Sequence, residues 1–239
     1  MKKKILGVLG GMGPAAGARL ISLITEFTAA EREQEHMEII LHSLPSIPDR
    51  TDFIFGKSKL SPLPQMQAAV RALTASGAEI IAVPCNTAEY FHAELQAECP
   101  VQILRTAYES ARFATAKGAK KLGILATEGT VHAEIYQKHL SSLGIDFFAP
   151  EQAMQEKINT VIYSRIKKSL PAEKGMLKEA EAYFRKNGCD SAVLGCTELS
   201  LLPNLRENAF FIDSLSVLAS VCVQKCGYPQ SEKCKLFYT

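Results

Sequence analysis

The sequence lacks the features that mark membrane and nucleic-acid-binding proteins. It contains no apolar run of about 18 residues or more, so no membrane span is predicted. The formal net charge is only +2 at pH 7, and charges of both signs are scattered, with no basic stripe and no acidic tail. We therefore expect neither nucleic acid nor a membrane as a partner.

Metal-binding and secretory signals are also missing. The five histidines form no ligand pattern, and the spacing of Cys222 and Cys226 lacks the histidine or CxxC that would support zinc. An N-terminal resemblance to a signal peptide is interrupted by four glycines and a proline between residues 7 and 14. Seven cysteines in a chain of 239 residues that is neither small nor evidently secreted predict a reduced, cytoplasmic protein without metal.

Two stretches of the chain share one pattern. Residues 76–87 and 187–198 each run from a glycine through an acid and an apolar strand to a cysteine, which amide or hydroxyl side chains follow. The two cysteines, Cys85 and Cys196, stand 111 positions apart, and the stretches align without a gap. Residues 4–13 and 121–130 echo each other more weakly. The chain is therefore predicted to contain two divergent copies of one α/β unit.

The position of these cysteines suggests a reaction. Ligands of open parallel α/β sheets collect at the carboxyl ends of the strands, so both thiols should face binding clefts, and a pseudo-twofold axis would let them share one. A single strand-end cysteine is usually a core residue, but polar residues follow both of these. Two thiols flanking one carbon can remove a proton from one face and deliver another to the opposite face, as a cofactor-independent racemase requires.

The order of predicted elements is that of an α/β protein. A helix is expected to follow each strand, with Asn86 or Thr87 capping the helix at 87–98 and Thr106 capping the next. Residues 44–64 are expected to form a long loop. Cys189 and Cys222 are expected in the core, and Cys99, Cys226 and Cys234 near surface turns. The remaining predicted strands are 5–9, 37–41, 101–104, 121–125, 145–148 and 210–212, and the remaining helices include 64–76, 158–170, 172–186 and 215–223.

The glycine-rich turn at residues 10–14 has two interpretations. Gly11, Gly13 and Ala16 fit a dinucleotide fingerprint. However, the second strand ends in His42 and Ser43 instead of the acid that would hold a ribose. Close approach of the backbone to a small carboxylate at the helix N-terminus is the favoured use.

Two cations are candidates for binding a carboxylate. Arg50 presents a guanidinium whose geometry matches a carboxylate, although it could instead be a solvated loop residue paired with Asp49 or Asp52. Lys167 is the lysine of the helix at 158–170 that we single out. The other lysines of such helices are expected to be solvated.

Taken together, five motifs resemble the aspartate/glutamate racemase family. They are Gly10–Pro14, Pro48–Thr51, Pro84–Ala88, Ala126–Thr130 and Gly195–Leu199, and they occur in order along nearly the whole chain. The form Gly-Cys-Thr-Glu at 195–198 resembles the aspartate racemase branch. The resemblance implies two pseudosymmetric three-layer α/β/α domains with mainly parallel four-stranded sheets and an active site between them.

The resemblance also implies domain limits and partners. Residues 1–105 plus 207–239 would form the first domain and residues 106–206 the second. The partner would be a small amino-acid substrate, the chain would form a homodimer, and neither pyridoxal phosphate nor another cofactor would be needed.

Residue roles follow from the same motifs. Cys85 and Cys196 would be the acid/base thiols, and Arg50 and Lys167 would hold the substrate's side-chain carboxylate. The α-carboxylate would be bound, or its pocket lined, by Asn86, Thr87, Thr127 and Thr197. The complete expected substrate-binding set is Met12, Arg50, Asn86, Thr87, Thr127, Thr130, Lys167, Thr197 and Glu198.

One position departs from the family pattern. The family commonly has histidine where this chain has Glu89. A carboxylate there would oppose a thiolate on Cys85 and repel an acidic substrate unless it faces away or pairs with a cation.

The expected function is cofactor-independent racemisation of aspartate and/or glutamate by a two-base thiol mechanism. One alternative is a related cysteine-pair isomerase or racemase that acts on another amino acid, a hydantoin or a dicarboxylic acid. The other is a non-catalytic protein that binds amino acids.

Overall fold

The computed structural model describes residues 2–171, 175–202, 205 and 208–238, and its strands form two parallel sheets. The first sheet has the order β2-β1-β3-β4 and the second β6-β5-β7-β8, so the two halves share one topology. The predicted fold is confirmed. The strands are β1 (Leu6–Gly10), β2 (Ile39–Ser43), β3 (Ile80–Ala82), β4 (Gln102–Leu104), β5 (Lys121–Leu125), β6 (Asp146–Phe148), β7 (Ser191–Leu194) and β8 (Phe211–Asp213).

Helices cover both sheets, and short 3₁₀ turns follow the two thiols. The helices are α1 (Pro14–Phe27), α2 (Arg50–Ile54), α3 (Leu63–Ala75), α4 (His92–Ala97), α5 (Thr106–Ala116), α6 (Glu128–His132), α7 (Ile135–Ser142), α8 (Gln152–Asn159), α9 (Met176–Lys186), α10 (Ser214–Lys225) and α11 (Glu232–Tyr238). A π-helical segment, Thr160–Arg165, and a 3₁₀ turn, Ile166–Lys168, continue α8. Further 3₁₀ turns are Glu33–Glu35, Thr87–Phe91 and Thr197–Leu201.

Three local predictions are wrong. The loop predicted at 44–64 contains α2, because the Asp49 carboxylate caps the helix by accepting the N–H of Asp52 at 3.0 Å. Neither Asn86 nor Thr87 caps the turn at Thr87–Phe91 with its side chain. Thr106 is the first residue of α5 and not its cap. The predicted start of the helix at 172 lies outside the described residues.

Helix α10 is buried along most of its length. Each residue from Ser214 to Val223 is at most 6% exposed, because the helix packs against α1 and α5 and touches strands of both sheets. Its residues are apolar or small on every side, as expected of a helix without a solvent face. This helix therefore joins the two halves.

The predicted domain division needs one correction. Residues 207–239 were assigned to the first domain, but β8 pairs in parallel with β7 and belongs to the second sheet. Only the following helices, α10 and α11, pack on α1 of the first half. The predicted boundary at residues 206 and 207 lies outside the described residues, and the start of the second domain at residue 106 stays a prediction.

All seven cysteines are free and buried. Cys189 and Cys222 lie in the core as predicted, whereas the surface positions predicted for Cys99, Cys226 and Cys234 are wrong. Cys234 is covered because α11 folds back on α1, where its Sγ donates to Ser220 Oγ at 3.2 Å. No helix in the described part of the chain is both long and apolar enough to cross a membrane.

Two glycines predict opposite effects of the same substitution. A Cβ at Gly123 in β5 would lie 2.4 Å from the ring of Phe184, whereas a Cβ at Gly17 in α1 would meet its nearest neighbour at 3.5 Å. We expect Gly123→Ala to lower the free energy of unfolding by about 1–3 kcal/mol through overpacking. The matched control, Gly17→Ala, should raise it by up to about 1 kcal/mol through helix propensity. Urea unfolding measures both, and equal signs would contradict the packing described for β5.

Candidate active site

The two repeated strands deliver both thiols to one pocket. Cys85 follows the end of β3, Cys196 follows the end of β7, and both sulfurs lie at the carboxyl edge of a parallel sheet. Each cysteine is only 8% exposed, and both line the same cavity, which encloses about 310 Å³. The duplicated topology therefore places two proton-transfer groups around one small chamber.

The pocket collects all but one of the residues predicted for the site. Thr130 does not line it, and three lining residues were missed: Asp49, Thr51 and Tyr163. Asp49 and Thr51 flank Arg50 in a motif already singled out, and Tyr163 lies four positions before Lys167, so neighbouring sequence carried the signal. The lining residues are Met12, Asp49, Arg50, Thr51, Cys85, Asn86, Thr87, Thr127, Tyr163, Lys167, Cys196, Thr197 and Glu198.

The Cys196 thiol is protonated at neutral pH in the empty pocket. Burial raises its pKa to about 12, and the negative charges of Glu198 and Cys85 act in the same direction. The positive charge of Lys167 and a hydrogen bond from the backbone N–H of Glu198 oppose this rise. Cys196 is therefore suited to donate a proton, and it needs added positive charge before it can accept one.

Three threonine hydroxyls form a triangle between the halves. Thr87 Oγ1 lies 3.0 Å from Thr127 Oγ1 and 2.8 Å from Thr130 Oγ1, and the last two are 3.0 Å apart. Thr127 also caps α6, where its side chain accepts the N–H of Thr130. Each hydroxyl has one proton, so Thr130, behind the pocket, can donate to a partner whose own proton then turns to a ligand.

The guanidinium of Arg50 is buried, and backbone oxygens hold it. It donates to the carbonyls of Ile47 at 3.2 Å, Pro48 at 2.9 Å and Met12 at 3.4 Å. The interpretation of Arg50 as a solvated residue paired with an adjacent acid is wrong, because the residue is only 7% exposed. Its Nε has no protein acceptor and is buried, which leaves one donor for a ligand in the pocket.

Lys167 lies at the same side of the pocket. Its Nζ is 3.8 Å from a carboxylate oxygen of Asp49 and 4.3 Å from the centroid of the Tyr163 ring. The Tyr163 hydroxyl donates to Thr51 Oγ1 at 2.9 Å, and burial raises its pKa, so it stays protonated. The two cations thus approach the pocket from different elements, Arg50 from α2 and Lys167 from the turn after α8.

The glycine turn before α1 does approach a carboxylate, and that carboxylate belongs to the protein. A Cβ at Gly13 would lie 2.2 Å from Glu198 Oε1, so only glycine permits this contact. Burial raises the pKa of Glu198, while Lys167 and a hydrogen bond from the backbone N–H of Gly13 lower it. Its Oε2 is buried without a partner and faces the same pocket.

Glu89 faces away from the pocket. Its Oε1 accepts hydrogen bonds from His139 Nε2 at 2.8 Å and Arg105 Nε at 3.2 Å, and its Oε2 accepts the N–H of Ala107 at 2.8 Å. Glu89 therefore supplies the cap that α5 lacks at its own N-terminus. The departure from the family pattern adds no acid to the pocket, and His139, which the sequence left unassigned, pairs with it. Among the described residues, no three His, Cys, Asp or Glu side chains converge as metal ligands would.

Comparison with known proteins agrees with this geometry. Residues 9–222 match a family model described as Asp/Glu/Hydantoin racemase. The chain is 25% identical over 230 residues to the broad specificity amino-acid racemase RacX of Bacillus subtilis, a match that covers 92% of this chain and 96% of that protein. It is also similar to the solved structure of Picrophilus torridus aspartate racemase, with 26% identity, a TM-score of 0.83 and coverage of 99% of this chain and 100% of that one.

A glutamate racemase of Pediococcus pentosaceus shares 32% identity over 124 residues, which is 51% of this chain and 46% of that protein. The family match spans both strand-end cysteines and every residue that lines the pocket. The chain belongs to the Asp/Glu/Hydantoin racemase family, whose members are amino-acid racemases that work without pyridoxal phosphate.

Proposed function

We propose that the protein racemises an acidic amino acid, aspartate or glutamate or both, with Cys85 and Cys196 as its two acid/base groups. The observation that carries this proposal is the convergence of two strand-end thiols on one small polar pocket. The likeness to an aspartate racemase over the whole chain supports the substrate class.

The reaction follows from two sulfurs and one α-carbon. One sulfur, as thiolate, accepts the α-proton, and the C–H electron pair stays on carbon as a carbanion conjugated with the carboxylate. The other sulfur, as thiol, donates its proton to the opposite face of that carbon. The net charge of the pair is unchanged, and the sulfurs have exchanged roles, so the product enantiomer can react in reverse.

The pocket must stabilise negative charge twice, on a thiolate and on the carbanion. A free thiol has a pKa of about 8.5, so a thiolate at neutral pH needs nearby positive charge. Lys167 supplies this at Cys196, and the α-ammonium of the substrate adds to it. Donors aimed at the α-carboxylate stabilise the carbanion as charge moves onto those oxygens.

The polar groups of the pocket match the parts of an acidic amino acid. Asn86, Thr87 and Thr127 would donate to the α-carboxylate. Arg50, through its unpartnered Nε, and Lys167 would bind the side-chain carboxylate. The unpartnered oxygen of Glu198 would accept from the α-ammonium, which also accounts for a buried acid beside the thiols.

A second candidate is racemisation of a wider range of amino acids. Its support is the pairing of Lys167 with Asp49, which reduces the positive charge open to a substrate, and the likeness to a broad specificity racemase. Action on a hydantoin or a dicarboxylic acid, and ligand binding without catalysis, differ from both candidates in one respect. Neither introduces deuterium at the α-carbon of an amino acid. A homodimer and a cytoplasmic location stay predictions.

The first test removes each thiol. Cys85→Ala and Cys196→Ala should each lower the racemisation rate of L-aspartate by at least about 100-fold, because inversion needs one proton-transfer group on each face. Polarimetry and proton NMR in deuterium oxide measure inversion and α-hydrogen exchange. Cys189→Ala, which removes a buried cysteine outside the pocket, should retain activity. Normal inversion in either thiol variant would contradict the mechanism.

The second test concerns substrate choice. Lys167→Met should lower kcat/KM for L-aspartate by about tenfold or more and leave L-alanine much less affected, since a hydrogen bond between charged groups contributes about 1.5–3 kcal/mol. Lys168→Met, at the exposed neighbour, is the matched control and should change neither. Equal losses for aspartate and alanine would oppose a side-chain role for Lys167 and favour the wider substrate range.

The third test is the pH dependence of Cys196. Since burial raises its pKa to about 12 in the empty pocket, its thiolate fraction is small at pH 7 and grows about tenfold for each pH unit. Alkylation of Cys196 by iodoacetamide, followed by peptide mass spectrometry, should therefore accelerate from pH 7 to 9 without levelling. A plateau below about pH 9, the behaviour of a solvated thiol, would contradict the burial described here.

A further inference from the structure

The residue after each thiol forms a hydrogen bond to the opposite half of the molecule. Asn86 and Thr197 occupy equivalent positions in the repeat. Thr197 Oγ1 donates to the carbonyl of Pro84 at 3.0 Å, directly before Cys85. Asn86 Nδ2 donates to Ser214 Oγ at 3.1 Å, at the start of α10. The two thiol turns therefore hold each other across the interface.

A backbone carbonyl sets the direction of the hydrogen bonds at Asn86. Ser214 Oγ lies 2.6 Å from the carbonyl oxygen of Leu194, which can only accept, so the single proton of Ser214 goes there. Ser214 must then accept from the amide nitrogen of Asn86. The amide oxygen of Asn86 is left facing the hydroxyl of Tyr136, which donates to it at 2.7 Å.

This chain of bonds leaves one donor for the substrate. The Asn86 amide has two N–H groups, and Ser214 takes only one of them within the described residues. The reverse orientation would present the amide oxygen to a substrate carboxylate and repel it. Tyr136 and Ser214 are fully buried and Asn86 is 2% exposed, so no bulk water competes for these bonds. Burial also raises the pKa of the Tyr136 phenol, which therefore remains a donor.

We propose that Tyr136 and Ser214 are positioning residues for racemisation, which hold the Asn86 amide with its free N–H directed at the α-carboxylate of the substrate. The proposal rests on the proposed function. It also links the substrate to the second thiol, because Leu194, where the chain of bonds ends, lies two residues before Cys196. Neither Tyr136 nor Ser214 lines the pocket, so they act through Asn86.

A double-mutant cycle tests this dependence. Racemisation of L-aspartate is measured in the wild type, Tyr136→Phe, Asn86→Ala and the double variant, after thermal unfolding has shown that each is folded. Tyr136→Phe should lower kcat/KM about tenfold or more, since a buried amide oxygen loses its donor. In the Asn86→Ala background the same change should cost less than about twofold, because no amide is left to orient.

Equal losses from Tyr136→Phe in both backgrounds would overturn the proposal, since a tyrosine that acts only through packing does not depend on Asn86. Tyr108→Phe is the matched control, as this hydroxyl is outside the chain of bonds, and it should retain full activity. Ser214→Ala should reproduce the loss, and Ser214→Thr, which keeps a hydroxyl, should restore most of it. Full activity of Ser214→Ala would also overturn the proposal. A folded wild type that racemises no amino acid would instead refute the proposed function itself.

Discussion

The burial of α10 between the two halves is the constraint on which the site depends. The helix is apolar or small on all sides and packs on α1 from the first half and on α5 beyond it, so neither half has a complete core without it. Its N-terminus carries Ser214 directly into the hydrogen bonds around Asn86. Apolar packing thus sets the approach of the two sheets, and polar bonds at their carboxyl edges set the finer positions of the thiols.

Within that frame, the pocket contains a balance of opposite charges. Arg50 and Lys167 face Asp49 and Glu198 in a small volume, with both sulfurs beside them. Burial would neutralise an isolated acid or thiol, and it raises the pKa of Glu198 and of Cys196 here. An amino acid brings an ammonium and carboxylates to complement these groups. The empty pocket is therefore arranged for a ligand that carries charges of both signs.

The interface also explains how the chain accommodates Glu89. Its carboxylate receives two side-chain donors and one backbone N–H, which together offset the cost of burying a charge. One of those donors, His139, lies one turn after Tyr136 on α7, whose hydroxyl reaches Asn86. Helix α7 therefore contacts the turn after Cys85 at two points three residues apart. The residue at position 89 contributes to the joint between the halves and does not contact the pocket.

The amino-acid sequence by itself determined the duplication, the strand-end position of both thiols and all but one of the residues predicted for the pocket. These properties depend on local chain geometry, in which apolar strands, glycine turns and the residues next to a cysteine keep fixed relations. Tertiary structure decided which sheet β8 joins, that Thr130 lies behind Thr87, that Glu89 turns toward His139, and that Tyr136 orients Asn86. Cys99, Cys226 and Cys234 were placed wrongly for the same reason. Each of these outcomes depends on partners distant along the chain, and no local periodicity encodes which distant surfaces will pack together.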